Sequence, residues 1–165
     1  MKNNPIIIGI DPGYDRVGIA IGRKTKESWE LLSYSCIQTN KKAKLFDRYA
    51  QIATELEELV TKHQVTEAGI ESLFFFKNKS TALDVSEARG VIIATLMRQK
   101  IKIAEYTPLQ IKQSLTGYGR ADKKAVEKMV RMELTLEGKI IDDTIDALAI
   151  MICHECSRKL QKENL

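Results

Sequence analysis

With 165 residues, 44% of them hydrophobic and 29% charged, the chain is expected to form a single domain spanning residues 1–165, which argues against a two-domain, fibrous or low-complexity protein. The apolar run near the N-terminus is too short for a signal peptide or a membrane span and ends in an acid. A cytoplasmic protein with no membrane association is therefore expected, and three cysteines suit that reducing compartment. A net charge of +4 is mild, so the distribution of cations matters more than their sum. Lys41, Lys42 and Lys44 cluster in one loop, Lys77 and Lys79 follow Glu71, and Arg120, Lys123, Lys124, Lys128 and Arg131 cluster later.

Taken in chain order, Ile6 to Asp11, Arg16 to Arg23 and Leu31 to Gln38 are predicted strands joined by short turns, an antiparallel meander. Leu45, Tyr49, Ile52, Leu56 and Leu59 recur at spacings of four and three, which marks an amphipathic helix. Glu67 to Glu71 returns to strand. Ser80 is the expected cap of a helix running to about Gln99, and Lys102 to Tyr106 is a fifth strand. Thr107, Pro108 and Gln110 form a capping box with proline at the first helical position. Gly117 and Gly119 break that helix, Asp122 caps the next, and Asp142 or Asp143 opens the last. The charged end, 157–165, is expected to fray. These elements make an α/β fold, a five-stranded mixed sheet flanked by helices, in which the two acid-ended strands are neighbours.

Four carboxylates stand out. Asp11 leaves a buried strand at the turn Pro12–Gly13, and Glu71 ends a second such strand. Asp143 and Asp146, three apart, share one face at the head of the last helix. Acids gathered in this way repel one another unless a cation lies between them, and all-oxygen ligands suit magnesium or manganese. Cys153 and Cys156 form a lone CxxC around His154; zinc needs a second ligand pair, so these residues are expected to pack on a helix instead.

The segments IIIGIDPGYDRVGIAI, GIESLFFFKNKSTALDVSEARGV, YTPLQIKQSLTGYGRADKKAV and DDTIDALAIMICH resemble, in order and spacing, the RuvC family of Holliday-junction resolvases. The resemblance spans nearly the whole chain and implies a ribonuclease H-like fold. It further implies a structure-selective endonuclease that cuts four-way junction DNA in recombination and repair. By this resemblance Asp11, Glu71, Asp143 and Asp146 are the catalytic, metal-binding acids, with two magnesium ions per site and manganese able to substitute. Phe74 would stack on bases near the crossover, while Lys112 and Lys123 would lie near the scissile phosphate. A homodimer and collaboration with the RuvA and RuvB branch-migration proteins are also implied, and 80–99 is the candidate dimer face. On a helix, Asp142 and Asp143 are equally able to pair with Asp146; the family pattern selects Asp143 and leaves Asp142 as the helix cap. Tyr14, Asp15 and Arg16 look more like a pre-ribosomal-RNA nuclease branch of the same superfamily, and the alternative reading is a pre-ribosomal-RNA or single-strand nuclease of that superfamily.

Overall fold

The computed structural model describes residues 4–72 and 81–163. Strands β1 (Ile7–Asp11), β2 (Arg16–Lys24) and β3 (Trp29–Gln38) form the expected antiparallel meander. Helix α1 (Leu45–Lys62) leads to β4 (Glu67–Glu71), α2 (Ala82–Arg98) to β5 (Lys102–Tyr106), and α3 (Pro108–Thr116), α4 (Lys123–Leu134) and α5 (Asp142–Glu163) follow. The sheet order is β3-β2-β1-β4-β5, with β1, β4 and β5 parallel.

Parallel central strands are buried on both faces, which is why they read as unbroken apolar runs. Ile8 and Ile10 point with Ile19, Ile21 and Ile70 to one face, against Ile52 and Leu56 of α1 and Ile92 and Leu96 of α2. Ile7 and Ala20 point to the other, against Ile145, Leu148 and Met151 of α5 and Val126 and Val130 of α4. Every large member of these clusters is buried, and each fully buried Leu or Ile contributes roughly 1.5–3 kcal/mol. Helix α5 sits directly on the sheet. A Cβ on Gly9 would collide with the Ala147 carbonyl, and one on Gly18 with the Asp143 carbonyl, so glycine at these two strand positions lets the helix approach.

The local signals at α3 and α4 hold. Thr107 Oγ1 accepts from the Gln110 N–H at 3.2 Å while the Gln110 side chain accepts from the Thr107 N–H at 2.9 Å. Asp122 caps α4 by accepting from the Ala125 N–H at 2.8 Å.

Three expectations are corrected or fall elsewhere. Asp142 is not a cap: the Ile141 carbonyl accepts from the Thr144 and Ile145 N–H groups, which puts Asp142 inside the first turn of α5. Its carboxylate is instead drawn to the Lys123 ammonium, 3.3 Å away. Ser157 to Glu163, expected to fray, continue α5 as helix, and Arg158 within this stretch pairs with Glu67 at 3.1 Å and Glu155 at 2.8 Å. Ser80, the expected cap of α2, lies outside the described residues; the helix begins at Ala82 behind Thr81, which makes no side-chain cap.

Candidate active site

The pairing of β1 with β4 runs from Ile7 opposite Glu67 to Ile10 opposite Ile70, so the next residues, Asp11 and Glu71, emerge side by side at the carboxyl ends of both strands. That is where ligands bind in open α/β sheets. The first two turns of α5 cross above them, carrying Asp143 and Asp146, with Gly18 of β2 beneath the Asp143 backbone. The four acids named from sequence thus come from three elements that meet at one end of the sheet.

Their electrostatics show how closely they meet. Burial, with the charges of Glu71, Asp146 and Asp143, pushes the pKa of Asp11 from 3.8 up to about 8. Burial and Asp146 also raise Glu71, opposed by a hydrogen bond with Asp11 and by the charge of Lys112. Asp146 is likewise raised by burial, with Lys123 opposing. Among the described residues no three His, Cys, Asp or Glu side chains close into a preformed metal cage. The acids nevertheless fit a divalent cation, because burial and three neighbouring carboxylates disfavour the charged form of Asp11, a positive charge among them would offset this, and hard carboxylate oxygens suit magnesium or manganese.

Lysines flank the acids. Lys123 at the start of α4 lies 3.3 Å from both Asp142 and Asp146; burial works against its ammonium, but these carboxylates outweigh it and raise its pKa. Lys112 of α3 and Lys123 line a cleft of about 270 Å³ together with Glu71, Asp146 and Pro108. Phe74, and with it Lys77 and Lys79, falls outside the described residues.

Three arginines to which the sequence assigned no place in the site lie at or near it. Arg16, at the start of β2, lies 3.6 Å from Asp143 with half its side chain exposed, on a different element from either lysine. Arg89 of α2 donates from Nε to the Glu71 carbonyl at 3.4 Å and pairs with Glu105 at 2.9 Å, bracing the end of β4. Arg48 of α1, buried, holds the turn that follows Asp11. Each is an ordinary charge in an amphipathic or strand-end context, and only the fold shows what it touches. His154, between the two cysteines, has Nδ1 2.9 Å from the Tyr106 hydroxyl and Nε2 3.1 Å from Glu67. Both ring nitrogens are thereby engaged in a buried network, and burial keeps its pKa down.

The family model "Crossover junction endodeoxyribonuclease RuvC" matches residues 7–154. A crossover junction endodeoxyribonuclease RuvC of Petrotoga mobilis is 43% identical over 150 residues, covering 90% of this chain and 92% of that protein. One of Halothermothrix orenii is 42% identical over 159 residues, covering 96% of each. Among solved structures, Thermus thermophilus RuvC superposes with a TM-score of 0.87 at 27% identity, covering 94% of this chain and 96% of that one. The same protein in complex with Holliday junction substrate gives 0.89 at 26%, covering 95% and 96%. The yeast mitochondrial resolvase Ydc2, at 0.61 and 14%, shares the fold. A model match over most of the chain and relatives above 40% identity along nearly all of it identify one family: the chain belongs to the RuvC crossover junction endodeoxyribonucleases.

Proposed function

We propose that this chain is a metal-dependent endonuclease that resolves four-way DNA junctions by paired strand cleavage in recombination and repair. The observation that carries the reading is the meeting of Asp11 and Glu71 with Asp143 and Asp146 of α5 at one sheet end, in a chain of this family. The relatives favour this over the pre-ribosomal-RNA nuclease.

The four acids are the catalytic and metal-binding residues, with magnesium as the ion, two per site, and manganese able to replace it. These carboxylates would hold the ions, which when bound would supply Lewis-acid activation of a water and charge stabilisation at the leaving oxygen of a phosphodiester. The protein's own groups do the rest. The backbones of Asp11 and Glu71 are fixed by pairing with Gly18 of β2 and Tyr106 of β5, so their positions are set before substrate arrives. Lys112 and Lys123 draw the scissile phosphate into the cleft, and the Lys123 ammonium, held charged by Asp146 and Asp142, can neutralise a phosphate oxygen as substrate enters. Phe74, by resemblance, stacks on bases at the crossover, an interaction worth roughly 1–3 kcal/mol per base.

A junction has two-fold symmetry and two strands to cut, while one chain supplies one site, so the active species is a C2 homodimer. Exposed Leu83 and Met97 on α2 support that helix as the dimer face. RuvA and RuvB are the proposed partners and the cytoplasm the compartment. No helix among the described residues is long and apolar enough to cross a membrane. Residues 1–165 act as a single nuclease domain.

Incubating the protein and magnesium with a synthetic four-way junction, a linear duplex and single-stranded RNA tests the reading. Symmetric nicks in the junction alone are expected. Faster cutting of the RNA would overturn it in favour of the alternative.

A further inference from the structure

We propose that Arg48 is a positioning residue for the acidic site, acting through the turn that joins Asp11 to β2. The proposal rests on the reading of the acids as metal ligands. Arg48 lies on α1, far from the acids in sequence and on the opposite face of the sheet from α5, and its side chain is only 8% exposed. Burying a guanidinium is unfavourable unless its donors are matched, and here they converge on one turn. Nη2 donates to the Tyr14 carbonyl at 3.1 Å and to the Asp15 carboxylate, while Nε donates to Thr39 Oγ1 at 2.9 Å. Thr39 returns to the same turn, its hydroxyl donating to the Tyr14 carbonyl at 2.7 Å and its N–H to the Asp15 carbonyl at 3.0 Å. The guanidinium also lies over the Tyr14 ring, 4.9 Å from its centroid.

This clamp acts on a turn that leads at one end to a ligand and at the other to a residue that faces one. Asp11 precedes the turn, with only Pro12 and Gly13 between it and Tyr14. Arg16 follows it and faces Asp143. A planar fork that grips backbone and side chain at once cannot be reproduced by an ammonium, so the clamp defines where the turn sits and hence how Asp11 and Asp143 face one another. Partners bonded directly to metal ligands commonly change metal affinity about 10- to 100-fold when removed, and the lower end is expected of Arg48, which acts through the turn and touches Tyr14, Asp15 and Thr39.

The test measures manganese binding to the DNA-free protein by electron paramagnetic resonance, alongside the magnesium midpoint for junction cleavage. Arg48→Lys should weaken manganese binding about 10-fold and raise the midpoint by a similar factor, while junction affinity in calcium is unchanged. Asp15→Ala, which removes one arm of the clamp at a partly exposed position, should lose about 3-fold. A lowered melting temperature with unchanged manganese affinity in Arg48→Lys would show a purely structural arginine and overturn the proposal. Should Arg48→Lys fail to fold, unchanged affinity in Asp15→Ala overturns it equally. Wild-type protein that binds no manganese would instead remove the metal-site reading itself.

Discussion

Asp11→Asn should stabilise the metal-free protein while ending cleavage. In the fold, burial and three acidic neighbours raise the Asp11 pKa from 3.8 to about 8, so the folded state takes up a proton that the unfolded chain releases. For an acid whose pKa is raised, the sign is destabilising: the cost is absent near pH 4, grows as pH rises through the interval, and is complete above about pH 8. At 1.36 kcal/mol per pH unit the full interval corresponds to on the order of 6 kcal/mol. Asp11 keeps some contact with solvent, which screens the effect, and about 2 kcal/mol is the reasonable share. For a chain of 165 residues this is about 6 °C in melting temperature. Thermal melts in chelator at several pH values measure it. The variant should melt about 6 °C above wild type at pH 8 and level with it at pH 4, and saturating magnesium should raise the wild type more than the variant. A gap that is absent, or the same at every pH, would refute the reasoning.

Replacing magnesium with calcium should leave junction binding intact and stop cutting, because calcium's longer bonds and looser geometry misplace the attacking water; paired gel-shift and cleavage assays read both. Asp142→Asn should keep most activity, since that carboxylate is exposed and among the described residues is drawn to Lys123, whereas Asp143→Asn should lose cleavage with little change in melting temperature. Gly18→Ala should cost roughly 1–3 kcal/mol and at least about 10-fold in cleavage rate, because the added methyl forces the Asp143 end of α5 off the sheet. Equal rates for Gly18→Ala and wild type would show that this contact does not set the ligand's position.

How much of this could be read before folding depended on the range of the interaction. The strand ends at Asp11 and Glu71 were legible because burial on both faces leaves a continuous apolar run, and an acid ending such a run stands out. The capping box at Thr107 and the Asp122 cap were legible because a cap closes within three residues. Asp142 misled for a related reason: an acid at a helix start suits a cap, but a lysine 19 positions earlier in the chain claims the carboxylate. Arg158 likewise meets Glu67 of β4, a contact the charged sequence of this segment does not announce. Arg16, Arg48 and Arg89 acquire their roles only across such distances. Gly9 and Gly18 carried no signal of their own, since a close helix contact and a loose strand position both admit glycine.

The central claim is that the acids at the ends of β1 and β4 and the start of α5 perform the chemistry while the surrounding cations hold the substrate. Glu71→Gln separates the two. It keeps the shape of a side chain at the end of β4 and removes its charge, so the variant should bind a synthetic four-way junction as tightly as wild type and cut it at least about a thousandfold more slowly in magnesium. Cleavage by Glu71→Gln near the wild-type rate, with binding unchanged, would contradict the account.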